Sequence, residues 1–283
     1  MIPFCRADAE GIVAATMGFC ERLVSVSSID VYLAYGRLHR TEPGPILDGS
    51  ITEDSSLRTR LGIEGENYDK LAVETIMGSN PKVAVSILRL PMVYGMPDMR
   101  RVGSYVKRML DRRPHIVLGR SFAHWRASRA AAQDCAEAIA LCTFSNHKGL
   151  RVFNVAAEET YSEREWVERI GDCMKWQGSV VETDDPISPP PYGIDTRQHM
   201  IISSQKIRSQ LGFRETEHPD SSLATAVEWA AQSLNSGKNH EAVDYEKEDH
   251  LLERAEPAAL ASLAAHHMLQ PRIKEATKTT RRK

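Results

Sequence analysis

The feature that most constrains the fold of this chain is a short apolar stretch, residues 83–88, which is rich in β-branched residues and interrupted only by Ser86. A strand covered by helices on both faces is apolar along its whole length, whereas a half-exposed strand alternates between apolar and polar residues. The stretch therefore predicts an interior strand of a parallel sheet with helices packed on it.

Segments with helical and strand-like spacing alternate on either side of this stretch. Candidate helices occupy residues 6–19, 68–77, 102–112 and 131–142, and candidate strands occupy residues 22–27, 82–88, 115–118 and 151–155. Asn67 is the expected N-cap of the second helix, and Gly78 is its expected stop. This alternation predicts an α/β fold with a parallel sheet.

The chain beyond residue 155 carries further helix signals. Ser162 and Glu165 form a capping box; Gly212 ends a short helix, and Pro219 opens the last one. Prolines at four of the six positions 186–191 predict a loop between short strands near Val180 and Ile201. We expect a first domain over residues 1–155, a small domain over 156–236 and a charged tail, disordered or helical, over 237–283.

The composition excludes several functional classes. The 283 residues carry 36 basic and 38 acidic side chains, and the net charge of -2 gives no general reason to bind nucleic acid or an anionic membrane. No apolar stretch approaches the roughly 18 residues of a membrane span, and the acidic Asp8 lies where a signal peptide needs its apolar core. We expect a cytosolic protein. Five widely spaced cysteines predict buried thiols, and no Cys or His spacing predicts a metal site.

Three motifs place polar residues near the ends of the predicted elements. Ser28 ends the first strand within Ser-Ser-Ile-Asp-Val-Tyr, Tyr68 and Lys70 begin a helix, and Arg89 opens the sequence Arg-Leu-Pro-Met-Val-Tyr-Gly. Open α/β sheets bind ligands at the carboxyl ends of their strands. Ser28 is therefore a candidate site residue.

Together the motifs resemble the landmarks of the extended short-chain dehydrogenase/reductase family, the NAD-dependent sugar epimerases and dehydratases. These landmarks are Ser-Ser-x-x-Val-Tyr, Tyr-x-x-x-Lys and Arg-x-x-x-Val-Tyr-Gly; their order matches, and so do two of the three spacings. The resemblance covers residues 6–235. It implies a partial Rossmann-like sheet with a small C-terminal substrate domain, and an NAD(P)-dependent epimerase/dehydratase-like activity on nucleotide-linked sugars.

The resemblance also implies a role for each matching residue. Ser28 and Tyr68 would contact the reacting sugar oxygen, with Tyr68 as general acid or base, and Lys70 would lower the pKa of Tyr68. The implied catalytic residues are thus Ser28, Tyr68 and Lys70, the cofactor-binding residues Lys70, Pro91 and Val93, and the substrate-binding residues Tyr94, Arg126 and Arg129. The implied cofactor is NAD or NADP, and the implied partner is a nucleotide-sugar-like small molecule.

The spacing between Tyr68 and Lys70 departs from the landmark. Residues two apart lie about 200 degrees apart round an ideal helix, and Glu66 occupies the position four before Lys70. Tyr68 reaches the site if the helix begins after it. Otherwise Tyr68 packs at the sheet edge and Lys70 caps a solvated turn.

The family's glycine-rich turn, which holds the cofactor pyrophosphate at a helix N-terminus, has no counterpart here. Gly11 and Gly18 follow no strand, so we expect a truncated chain that binds NAD weakly and is weakly active or inactive. The alternative is a non-catalytic binding or interaction protein. Without its neighbouring strand, the edge at residues 23–27 would be unpaired, and we expect self-association there.

Overall fold

The structure of the chain is a computed structural model that describes residues 1–16, 18–79, 82–184, 193–237 and 243–254. Its strands are β1 (Arg22–Ser28), β2 (Ala84–Leu90), β3 (Met92–Tyr94), β4 (His115–Gly119), β5 (Arg129–Ala131), β6 (Leu150–Asn154) and β7 (Ser179–Thr183). Its helices are α1 (Arg6–Thr16), α2 (Leu33–Leu38), α3 (Lys70–Met77), α4 (Gly103–Leu110), α5 (Arg120–Ala123), α6 (Ala132–Phe144), α7 (Glu163–Met174), α8 (Gln205–Leu211), α9 (Pro219–Asn235) and α10 (Tyr245–Arg254).

The main sheet is a parallel sheet of three strands in the order β1-β2-β6. Successive side chains of a strand point to opposite faces, and β2 accordingly sends Ile87 towards α1 and α3 and Leu88 towards α6 and α8. Both faces of β2 are therefore buried, which explains the unbroken apolar sequence. The predicted α/β fold with a parallel sheet is confirmed.

The ends of several elements follow the capping signals in the sequence. Ser162 accepts a hydrogen bond from the Glu165 N–H and Glu165 bonds back to the Ser162 N–H, which confirms the capping box. Gly212 ends α8 at a φ of 71°, a conformation that favours glycine, and Pro219 is the first residue of α9. These three predictions depend on local chemistry only.

Other predictions about the helices and strands were wrong or concern residues outside the described ranges. The N-cap before α3 is Asp69 and not Asn67, because residues 66–68 form a separate 3-10 turn and Asp69 accepts a hydrogen bond from the Leu71 N–H. No strand forms at Ile201 within the described residues; its neighbour Ile202 makes a single parallel bridge to Ile51. The proline-rich loop falls mostly at residues 185–192, outside the described residues.

The edge of β1 is partly paired, so the prediction of an unpaired edge is wrong at two positions. The Met1 ammonium donates to the Val24 carbonyl at 2.8 Å, and the Met1 carbonyl accepts from the Val26 N–H at 2.9 Å. Met1 thus pairs with two backbone groups on this side of the strand.

A second core lies between α4, α7 and α9, with the parallel pair β4-β7 beside it. Val106 of α4, Trp166 of α7 and Leu223 of α9 are among its buried side chains. This core includes residues from both sides of position 155, and the predicted domain boundary there stays a prediction. Helix α10 confirms that part of the charged tail is helical; it packs on β4 and β7, and Glu248 pairs with Arg108 at 2.5 Å.

A buried polar network ties the main sheet to α3. Arg89 of β2 forms a two-point ion pair with Glu74 of α3, with Nε–Oε1 and Nη2–Oε2 distances of 3.0 and 2.7 Å. Ser27 donates to the same Glu74 at 2.6 Å, and Arg89 also donates to the Tyr32 hydroxyl, which in turn donates to Asn154 of β6. The network links all three strands of the sheet to the helix that begins with Lys70.

We predict that Arg89→Met lowers the free energy of unfolding by about 3 kcal/mol or more, because it leaves the Glu74 carboxylate buried without its cation. Urea denaturation followed by circular dichroism measures the change. The control is Arg6→Met, which removes the exposed Arg6–Glu10 pair and is expected to cost less than about 0.5 kcal/mol. Equal losses in the two variants would contradict this account of the network.

Candidate active site

The two serines at the end of β1, Ser27 and Ser28, have different roles. Ser27 is buried and bonded to Glu74, as part of the network beneath the site. Ser28 is half-buried and caps the 3-10 turn Ile29–Val31, its Oγ accepting from the Asp30 N–H at 3.3 Å. Of the two, Ser28 has the more accessible hydroxyl, at the carboxyl end of the strand.

Tyr68 and Lys70 lie side by side despite their short spacing. Tyr68 ends a 3-10 turn, Asp69 is non-helical at φ -115° and ψ 88°, and α3 begins at Lys70. Because no continuous helix spans the two residues, the Lys70 Nζ lies 5.2 Å from the centroid of the Tyr68 ring. Ser28 lies near enough to Tyr68 to lower the pKa of its hydroxyl. The structure therefore brings Ser28, Tyr68 and Lys70 together.

Asp30 is a further member of this cluster. Its carboxyl lies near Ser28 and Tyr68, and burial raises its pKa. Burial also raises the pKa of Tyr68, and the negative charge of Asp30 raises it further. A phenol in this setting keeps its proton at neutral pH.

The Lys70 ammonium is enclosed by the first residues of the chain. Lys70 is 2% exposed, its Nζ donates to the Pro3 carbonyl at 2.5 Å, and it lies 4.7 Å from the centroid of the Phe4 ring. Burial lowers the pKa of Lys70, while Asp30, Asp8 and Glu74 oppose that effect. Lys70 is therefore not a solvated cap, and its ammonium is directed to the Pro3 carbonyl.

Two of the three predicted substrate-binding residues, Tyr94 and Arg129, pack against Trp166. Tyr94 is 5% exposed and packs edge-on against Trp166. Arg129 is buried in an ion pair with Glu163 at 2.5 Å and lies over the same Trp166 ring. Arg126 is exposed and donates to the Thr160 carbonyl.

Tyr94 and Arg129 line a small cavity of about 20 Å³. Beside it opens a cavity of about 420 Å³, lined by Glu158, Glu159, Tyr161, Arg169, Glu215, His218, Pro219 and Asp220. Among the described residues, the lining of the two cavities does not include Ser28, Tyr68 or Lys70. Pro91 and Val93, the other predicted cofactor-binding residues, are half-buried around the end of β2 and in β3.

Comparison with solved structures identifies the fold of the chain. No protein-family model and no curated protein sequence matches the chain. Among solved structures, it is similar to MoeE5 in complex with UDP-glucuronic acid and NAD, with 22% identity over 81% of this chain and 70% of MoeE5 and a TM-score of 0.58. The chain has the fold of the NAD-dependent sugar-nucleotide epimerases.

Two further structures support this assignment of the fold. RMD from Pseudomonas aeruginosa, complexed with NADPH, is 16% identical over 80% of this chain and 72% of its own, with a TM-score of 0.61. The UDP-N-acetylglucosamine 4-epimerase from Bacillus cereus is 16% identical over 80% of this chain and 70% of its own, with a TM-score of 0.58. The fold implied by the three sequence motifs is therefore confirmed. Among the described residues, no helix is both long enough and apolar enough to cross a membrane.

Sequence reasoning missed three residues of the site. From the sequence, Asp30 is expected to be a turn residue, and Glu74 and Arg89 are expected to be ordinary helix and strand residues. In the structure, Asp30 lies beside the candidate catalytic residues, and Glu74 and Arg89 support them from below. A signal was present for two of them. Glu74 lies four residues after Lys70, and Arg89 is the first residue of the third motif.

We predict that Phe4→Ala makes Lys70 react several-fold faster with an amine-acetylating reagent, because the Phe4 ring covers its ammonium. Mass spectrometry of the tryptic peptides measures the rate, and the exposed Lys148 serves as the internal reference. Phe19→Ala is the matched control, since Phe19 is 90% exposed. An unchanged Lys70 rate in Phe4→Ala would show that other groups enclose the ammonium.

Proposed function

We propose that this chain is an NAD(P)-dependent epimerase/dehydratase-like protein that binds a nucleotide-linked sugar, with weak turnover or none. The observation that carries the proposal is the meeting of Ser28, Tyr68 and Lys70 at the carboxyl end of β1. Two hydroxyls side by side at a strand end suit the binding of a sugar hydroxyl, since each can donate and accept a hydrogen bond. The ligands of the similar structures, UDP-glucuronic acid and NAD among them, support the same class of substrate and cofactor.

The residues present fit a nicotinamide dinucleotide incompletely. By the resemblance, Lys70, Pro91 and Val93 would lie at the nicotinamide end, where the dinucleotide would supply hydride transfer. The Lys70 ammonium, however, already donates to Pro3, and the N-terminus of α3 is capped by the Asp69 carboxylate, which repels phosphate. The sequence has no glycine-rich turn for the pyrophosphate. The fit is incomplete, and we derive no step through the cofactor.

A second candidate function is a binding protein without catalysis. The enclosure of Lys70 by Pro3 and Phe4 favours it, because a sealed ammonium cannot hold a ribose. In both candidates Ser28 and Tyr68 bind the sugar. They differ in whether the bound sugar is converted.

Calorimetric titration with UDP-glucuronic acid and UDP-glucose tests the sugar site. We expect binding that Ser28→Ala and Tyr68→Phe each weaken by about 5- to 10-fold, the loss of one hydrogen bond of roughly 1 kcal/mol. Tyr161→Phe is the control, because Tyr161 lines the 420 Å³ cavity. Binding that responds to Tyr161→Phe and not to Tyr68→Phe would assign the ligand to that cavity and contradict the proposal.

The same titration with NAD and NADP separates the two candidate functions. We expect affinity weaker than micromolar for either dinucleotide, since the sequence has no glycine-rich turn to place the pyrophosphate at a helix N-terminus. Conversion of a nucleotide sugar to another sugar in the presence of NAD, lost in Lys70→Met, would establish the enzyme. Sugar binding without any conversion of the sugar would establish the binding protein.

A further inference from the structure

The first four residues of the chain lie against the candidate site. The Pro3 carbonyl accepts a hydrogen bond from the Lys70 Nζ at 2.5 Å, and the centroid of the Phe4 ring lies 4.7 Å from the same nitrogen. The centroids of the Phe4 and Tyr68 rings are 6.0 Å apart. Residues 1–4, here called the N-terminal strap, therefore contact two of the three candidate catalytic residues.

We propose that the N-terminal strap is an autoinhibitory contact, which closes the candidate site by occupying the Lys70 ammonium and lifts when a nucleotide-linked sugar binds. An acceptor atom of the ligand then replaces the Pro3 carbonyl as the partner of Lys70. The inference deepens the proposed function and rests on it for the identity of the ligand, whereas the opening of the strap is a property of the protein without ligand.

The N-terminal strap is held to the rest of the protein by few apolar contacts. The side chains of Met1, Ile2 and Phe4 are at least half exposed, and Pro3 is the one buried residue of the four. Apolar stabilisation is roughly proportional to the area removed from water, so this segment gains little of it. The Met1 backbone adds two hydrogen bonds, both at the edge of β1. Segments with few buried contacts open at a low cost in free energy while the rest of the fold stays intact.

The closed strap also leaves the Lys70 ammonium poorly satisfied. A lysine ammonium carries three donors, and within the described part of the chain the Pro3 carbonyl is the one acceptor bonded to Nζ. A buried charge is costly unless it is both paired and fully hydrogen-bonded, and burial accordingly lowers the pKa of Lys70. Lifting the strap returns the ammonium to water or to a ligand, which offsets part of the contacts that are lost.

Asp8 anchors the N-terminal strap to α1. Its carboxylate accepts a hydrogen bond from the Phe4 N–H at 2.8 Å and another from the Cys5 N–H at 3.3 Å. These two bonds fix the backbone where the strap meets the helix, because they pair N–H groups at a helix start that otherwise lack a partner. Loss of the Asp8 carboxylate is therefore expected to favour the open strap.

Amide hydrogen exchange in the full chain, followed by NMR, measures the opening of the strap. The Val26 N–H donates to the Met1 carbonyl and reports on the strap, whereas the Val85 N–H donates to the Gly149 carbonyl and reports on the main sheet. When opening is rapid, the exchange rate of an amide is proportional to the fraction of open molecules. We expect Asp8→Ala to accelerate exchange at Val26 by about 5- to 10-fold, the usual effect of losing a capping side chain, and to leave Val85 unchanged.

Calorimetric titration with UDP-glucose and UDP-glucuronic acid measures the inhibition itself. A ligand that binds only the open form has its apparent affinity reduced by the open fraction. We therefore expect Asp8→Ala to tighten the binding of both UDP-sugars by about the same factor as it accelerates exchange at Val26. Glu10→Ala is the matched control, because it removes an exposed acidic side chain from the same helix, and it should change neither quantity.

Two results in Asp8→Ala would overturn the proposal. One is faster exchange at Val26 with an unchanged affinity for the UDP-sugars, and the other is an unchanged rate at Val26. The parent chain provides a second test that does not depend on the folding of the variant. Saturation with a UDP-sugar should accelerate exchange at Val26 and not at Val85, and a slower or unchanged rate at Val26 in the bound protein would also overturn the proposal.

Failure of this inference and failure of the proposed function are distinguishable. Faster exchange at Val26 in Asp8→Ala, with no binding of UDP-sugars to either chain, would support the opening of the strap and reject the sugar site. Binding of UDP-sugars that Ser28→Ala and Tyr68→Phe weaken, with equal affinities in Asp8→Ala and its parent, would support the sugar site and reject the strap as an inhibitor.

Discussion

The ion pair between Arg89 and Glu74 is the interaction on which the rest of this structure depends. Its two hydrogen bonds join β2, the central strand, to α3, the helix that begins with Lys70. A buried pair of this kind is costly to desolvate and stabilises the fold only when its other lone pairs and protons are also bonded. Ser27 and Tyr32 provide those further bonds. The positions of Ser28 and Lys70 are therefore fixed by buried charge as well as by apolar packing.

The sequence predicted those parts of the fold that depend on local chemistry. The apolar run of β2 and the capping signals at Ser162 and Gly212 each act over a few residues, and each appears in the structure where expected. The α3 boundary was not predicted, because Asn67 and Asp69 are both good capping residues. Arg58, which pairs with Asp69, lies 11 residues before it, and the capping pattern alone does not include this contact.

The sequence predicted which residues form the candidate site, but it did not predict the contacts that they make. The motifs identify Ser28, Tyr68 and Lys70 as candidates. The two-residue spacing of Tyr68 and Lys70, however, does not predict where their side chains point unless the conformation of the backbone between them is known. The partner of Arg129, Glu163, lies 34 residues away, and the carbonyl that binds Lys70 lies 67 residues away. Pairings over such separations arise from tertiary packing, which single-sequence patterns do not encode.

The attachment of α10 differs in kind from that of the other helices. It is held to the β4-β7 pair largely by charge: Glu248 bonds Arg108, Asp249 bonds Arg113, and the Tyr245 ring lies 4.8 Å from the Arg113 guanidinium. Salt shortens the range of such forces, from about 10 Å at 0.1 M to about 3 Å at 1 M, while it leaves an apolar core intact. The attachment of the C-terminal helix is therefore sensitive to ionic strength, whereas the apolar core between α4, α7 and α9 is not.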